Sequence, residues 1–309
     1  MNRHTPLQII LCTAMIVSAM QITNYTAYTT PADYLSQYLG TDGIVIENAF
    51  LTATFDPEIQ FSSAGTFTGG EAINQGNSIM NEGVVLSSGY VNHLQGNSNV
   101  SDNMSGYLAA GGDPDLDALL DQGITSRDAT ALEFDFHVAE EGTFDLSLSY
   151  IFGSDEYDEY ALSSYTDLFG IFVNERGNTE KLNIATIPGT STPVSIGTIN
   201  LDNNSSMYHS NDLTDYPDGN TPFSNEMDGF TDPFTASFTA SGNTLYHLKI
   251  AVADAAPYDS DERGWDSWLL LGAHSFTYAP HAVPEPSAPI LLFTGLILSA
   301  LLFIKKRRS

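Results

Sequence analysis

Four carboxylates fall within five residues, at Asp155, Glu156, Asp158 and Glu159, inside the stretch Tyr150 to Val173 (YIFGSDEYDEYALSSYTDLFGIFV). Carboxylates so close repel one another, and a shared cation relieves that repulsion. A second acidic stretch, Ala253 to Ser267, lies nearly a hundred residues later and carries Asp254 and Asp266. Calcium takes about six to eight oxygens from carboxylates, carbonyls and water at flexible geometry. If the two stretches meet, Asp155, Glu156, Glu159, Asp254 and Asp266 are the candidate ligands of one calcium ion, the only cofactor the sequence suggests. The plain alternative is a pair of solvated acidic loops.

Two further chemistries compete for the same stretches. Two carboxylates about 5 to 9 Å apart can hydrolyse a glycoside, and Glu156 with Asp254 is such a pair. No Gly-x-Ser-x-Gly elbow and no His-Glu-x-x-His helix is present. The glycine-rich run Gly65 to Gly70 lacks a P-loop lysine, and the histidines are scattered. The expectation is therefore a protein that is not an enzyme. Exposed aromatics on loops can instead bind sugars, which makes Tyr157, Tyr258 and Trp265 candidate carbohydrate contacts.

The acidic stretches need strands to hold them. Leu132, Phe134, Phe136 and Val138 alternate with polar residues, as do Phe144, Leu146, Leu148, Tyr150 and Phe152, and later Tyr246, Leu248, Ile250 and Val252. Period-two patterning of this kind predicts strands with one buried face. Leu168 to Val173 is apolar on both faces and predicts a central strand. Further strands are expected over Ile44 to Phe55, Ile59 to Phe67, Gly83 to Gly89, Leu182 to Ile187, Val194 to Leu201, Phe234 to Thr239 and Trp268 to Phe276. Tyr90 to Gly112 and Asp202 to Asp232 read as long polar excursions. Short helices are expected at Thr30 to Gly40 and after Asp113, where Asp113 caps and Pro114 occupies the first turn. The sum is an all-β fold, a jelly-roll-like β-sandwich with long polar loops and a few short helices. The acidic stretches each follow a strand, and they meet at one end of the sandwich only if those strands run the same way.

The composition excludes several classes. The chain of 309 residues carries 38 acids against 10 bases, and five of those bases sit at its ends. Nucleic acid is not an expected partner, because phosphate contacts need Lys and Arg. Aromatic content of 11% argues against disorder. The single cysteine, Cys12, leaves no disulfide or thiolate site in a processed chain.

Both ends read as targeting segments. Residues 1–19 combine a basic start, an apolar run from Leu7 to Val17, and small residues at Val17-Ser18-Ala19, the pattern of a secretory signal peptide. Residues 20–41 are then expected to be linker and short helix, 42–278 one domain, and 279–309 a sorting segment. In that segment Val283-Pro284-Glu285-Pro286 precedes an apolar span over 288–304, about 17 residues and at the short end for a transmembrane helix. Lys305, Lys306, Arg307 and Arg308 follow as a membrane-stop cluster. The three parts in order closely resemble the PEP-CTERM sorting signal of Gram-negative bacteria, with two Lys ahead of the two Arg. The resemblance implies processing by an exosortase near Pro284-Glu285-Pro286. It also implies an inner-membrane-anchored precursor and delivery to the cell surface or extracellular matrix.

Three blocks of the core carry a second resemblance: Gly153 to Val173 with its Gly-Ser-Asp-Glu-Tyr motif, Asn183 to Asn200, and Tyr246 to Leu271. Together they resemble the bacterial choice-of-anchor L domain. The stretch Ala255 to Trp265 is longer and more acidic than the family pattern. Both resemblances point to the same place, an exported protein with a structural or adhesive role in a matrix or biofilm. Exopolysaccharide or other surface proteins are its expected partners. Carbohydrate binding is the alternative, and glycoside hydrolysis a more remote one.

Overall fold

A computed structural model describes residues 20–282 apart from 26–33, 35–37, 71–72, 74–79, 97, 166, 259 and 261–263. The signal segment, the motif Val283 to Pro286, the apolar span 288–304 and the basic tail 305–308 lie outside the described residues. Among the described residues no helix is long and apolar enough to cross a membrane.

Alternating sequences build two antiparallel sheets. The first runs β1 (Gln21–Asn24), β5 (Ala64–Thr68), β6 (Glu82–Ser87), β15 (Ser267–Gly272), β8 (Thr143–Ser154), β12 (Gly229–Thr231), β11 (Tyr208–Ser210), with β13 (Phe234–Ser241) and β16 (Thr277–Pro280) also on β8. The second runs β10 (Leu182–Asn183), β9 (Leu168–Glu175), β14 (Tyr246–Pro257), β7 (Ile124–Val138), β2 (Ile44–Thr52). A small ribbon pairs β3 (Phe55–Asp56) with β4 (Phe61–Ser62).

The facing sides of the two sheets share one apolar core. Tyr150, Phe152, Leu269 and Leu271 of the first sheet meet Phe134, Phe169, Ile171 and Ile250 of the second. The other sides are covered too. Trp268, Ile151 and Leu270 pack outward against Phe230, Met227, Val91 and Leu94. Ala251, Ala253 and Phe172 pack outward against Leu116 of the short helix α1 (Pro114–Asp117). Central strands are thus buried on both faces, which is why β9 and β15 read as unbroken apolar runs rather than alternating ones.

Several local expectations hold and others need correction. Asp113 caps α1, its Oδ1 accepting the Asp115 and Leu116 amides. Tyr34 and Tyr38 are helical, as expected within Thr30 to Gly40. Residues 20–25 are not linker. Met20 is fully buried and β1 adds to the edge of β5, because Met20 and Ile22 have an apolar pocket to fill. Val194 to Leu201 is not a strand. It turns through the Ser195 and Thr198 hydrogen bonds and keeps only isolated bridges. Its buried Val194 and Ile196 keep a strand's spacing, and Ile199, three residues further on, is buried by the turn instead.

Candidate functional site

The two acidic stretches do meet. β8 ends at Ser154, and the Asp155 amide donates to the Asp266 carbonyl at 3.0 Å, so the chain after β8 and the chain before β15 lie side by side. Each residue of Gly153-Ser154-Asp155-Glu156-Tyr157 has a physical role here. Gly153 lets the Met227 loop approach, since a Cβ there would stand 2.2 Å from Met227 Sδ. Ser154 Oγ accepts the Glu156 amide at 2.9 Å and turns the chain. Beyond that turn the two side chains part, Asp155 toward the Met104 amide and Glu156 toward the Trp265 amide.

On the inner face, Glu156 meets Asp254. A Cβ on Gly264 would lie 2.8 Å from Glu156 Oε1 and 3.3 Å from Asp254 Cγ, so both carboxyl groups crowd one glycine. Glu156 Oε1 accepts the Trp265 amide at 3.2 Å, while Glu156 Oε2 and Asp254 Oδ1 are buried without a hydrogen-bond partner. Burial pushes Glu156 up to about 8. Burial also raises Asp254 well above the usual carboxylate range, and Asp266 and Glu156 add to the shift. Asp167, which sequence reasoning passed over, joins this group. Its two oxygens accept the Ala255 amide and the Ser267 hydroxyl. Its only signal was an acid directly before an apolar strand.

On the outer face, Asp155 and Asp266 are covered by the 90–106 excursion. Asp266 is fully provided for. It accepts the Gly106 amide at 2.6 Å and the Tyr90 amide at 3.3 Å, and it pairs with His93 at 3.0 Å. Asp155 Oδ2 accepts the Met104 amide at 2.8 Å, and its Oδ1 has no partner. The five predicted ligands therefore do not ring one point. Glu156 and Asp254 form one group and Asp155 and Asp266 another. Glu159 is exposed, turned away into a cleft with Asp158, Asn200 and Asp202. Among the described residues no three His, Cys, Asp or Glu side chains stand together as a metal-binding group.

Among the described residues, no lysine or arginine forms an ion pair with Asp155, Glu156 or Asp254. Arg127 donates to the Ser260 and Pro257 carbonyls. Arg176 pairs with Asp135, and Lys181 and Lys249 pair with Asp115. Arg263 lies outside the described residues. Desolvated carboxylates without a counter-charge are costly, and a cation or bound protons must offset them.

The aromatic candidates separate as well. Tyr157 is fully buried against Tyr208, ring centroids 4.8 Å apart, and offers no surface to a sugar. Its place beside four carboxylates suggested a loop, but the chain turns inward there. Trp265 is half-buried edge-on to Tyr160 at 5.0 Å, and Tyr258 is 80% exposed. An open cleft of about 310 Å³ has Tyr107, Arg127 and Asp254 on its walls, and neither Tyr258 nor Trp265 is among its lining residues.

No curated protein and no solved structure matches the chain. A model of the choice-of-anchor L domain matches residues 21–277, beginning at β1 and ending within β16. Domains of this kind go with secreted or surface-anchored proteins. With its fold, its Gly-Ser-Asp-Glu-Tyr turn and nearly all its described length inside that match, the chain belongs to the choice-of-anchor L family.

Proposed function

We propose that this protein is a calcium-stabilised component of the bacterial surface or extracellular matrix, sorted by an exosortase through Val283 to Pro286, with a structural or adhesive role. The observation that carries the calcium reading is the Glu156–Asp254 pair: two buried carboxylates, each with an unpartnered oxygen, and no base paired with either among the described residues. Two carboxylates fall short of calcium's full shell, so carbonyls and water complete it. The burial of Glu156, at 2% exposure, also favours a structural over a hydrolytic role, because a glycosidic oxygen needs access to its acid.

The test is retention of calcium by the full chain, purified in mild detergent and passed through calcium-free buffer. Elemental analysis is expected to find bound calcium in the wild type and in Arg263→Gln, and less in Asp254→Asn. Equal content in wild type and Asp254→Asn sinks the inner site. Carbohydrate binding is the second reading, favoured by the exposed Tyr258 and by an open cleft with the exposed Tyr107 on its wall. A glycan array with Trp265→Ala as the control variant decides it.

A further inference from the structure

The outer face carries a separate arrangement that the acidic stretches alone do not reveal. β12 pairs with β8 so that Phe230 lies opposite Gly153 and Gly229 opposite Ser154. One more step along that ladder sets Asp228 opposite Asp155. On the other edge of β8, Ser267 lies opposite Ser154, and the next step sets Asp266 beside Asp155. Three aspartates, Asp266, Asp155 and Asp228, therefore stand side by side, each one residue beyond the end of one of three adjacent strands. Like charges directly opposite across a sheet are destabilising.

Asp266 is satisfied by two amides and His93, but its neighbours are not. Asp155 and Asp228 are both 0% exposed. Asp155 Oδ1 and Asp228 Oδ2 have no hydrogen-bond partner, while the second oxygen of each is held by the 90–106 excursion, through the Met104 amide and the Asn99 side-chain amide. Burial raises both carboxyls, Asp228 to about 9, and Asp228 is the largest charge acting on Asp155. Glu226 adds negative charge near Asp155, Asp212, Glu159 and Asp102 add it near Asp228, and the base His93 is engaged by Asp266. Asp228 is itself tied to its loop, since its carbonyl accepts the Asn211 amide, and Asn211 also holds the Asn225 and Met227 carbonyls.

We propose that a second divalent cation, calcium, lies between Asp155 and Asp228, on the opposite face of the first sheet from the Glu156–Asp254 pair. There it fastens the 90–106 and 211–228 loops to the end of β8. The proposal rests on the same reading as the inner site, that an ion rather than a shared proton offsets paired carboxylates, but it uses different residues. Carbonyls and water supply the rest of the shell.

The experiment is the calcium stoichiometry of the full chain, stripped with EDTA and titrated calorimetrically at pH 7.5. Two equivalents are expected for the wild type. Asp228→Asn and Glu156→Gln, each close in shape to the native residue, are each expected to lose one equivalent, and the double variant both. Two equivalents retained in Asp228→Asn, or one equivalent in both the wild type and Asp228→Asn, overturns the outer site and leaves the inner one standing. One equivalent in the wild type that only Asp228→Asn removes overturns the inner site instead. No binding at all overturns both. Chymotryptic cleavage at Tyr216 and Phe223 guards against misfolding. Calcium is expected to slow it in the wild type and in Glu156→Gln, and to have no effect in Asp228→Asn. Equal protection by calcium in Asp228→Asn contradicts the proposal.

Discussion

At the scale of single residues, the buried carboxylates make stability depend on pH in a direction opposite to the common case. A carboxyl raised by burial holds its proton in the folded state after the unfolded chain has released it. The folded state therefore loses ground as pH rises from the ordinary carboxylate range, about 4, up to about 8 for Glu156 and about 9 for Asp228. In EDTA, the urea midpoint is expected to fall steadily across that window. Calcium replaces the protons, so in calcium the fall is expected to flatten, and Glu156→Gln in EDTA is expected to be more stable than the wild type at pH 8. A midpoint in EDTA that is level from pH 5 to 9 rejects the uncompensated carboxylates. The sequence announced Asp155, Glu156, Asp254 and Asp266 by their clustering. It hid Asp167, an acid directly before an apolar strand, and Asp228, two residues after Glu226 in a polar excursion; both become significant only through the distant chain brought beside them.

At the scale of elements, the site depends on close backbone approach as much as on acids. A Cβ on Gly89 would stand 2.0 Å from Asp266 Oδ1 and Cγ, inside the carboxylate itself. Gly89→Ala is expected to cost about 2 to 3 kcal/mol or more through overpacking of a buried charge, measured by urea unfolding. A loss within about 0.5 kcal/mol, ordinary for an uninvolved surface position, contradicts this packing. The strands themselves were legible: the alternation in β7, β8 and β14 predicted strands with one buried face, and the doubly apolar β9 a strand covered on both. Two elements were not. β1 is four residues, too short for a pattern, and is held by Met20 filling a pocket built from distant chain. Val194 to Leu201 has buried apolar residues with strand-like spacing, but side-chain bonds from Ser195, Thr198 and Asn200 turn it back. Period alone cannot separate these cases, because burial depends on what covers a segment.

At the scale of the molecule, an acidic sandwich with no described cysteine closes one end with carboxylates rather than with covalent links. The proposed sorting role of 283–309 is tested in cells with an internal tag: the wild type is expected at the surface without its basic tail, and replacement of Pro284-Glu285-Pro286 by alanines is expected to leave an unprocessed form in the membrane fraction. Identical processing of both forms removes the exosortase reading. The most direct test of the whole account is the melting midpoint of the full chain at pH 7.5 in EDTA and in saturating calcium. Occupancy at about 100 times the dissociation constant adds roughly 2.7 kcal/mol per site. For a domain of this size one site alone corresponds to a rise of about 5 to 10 °C. An unchanged midpoint, with no calcium bound by elemental analysis, contradicts the account.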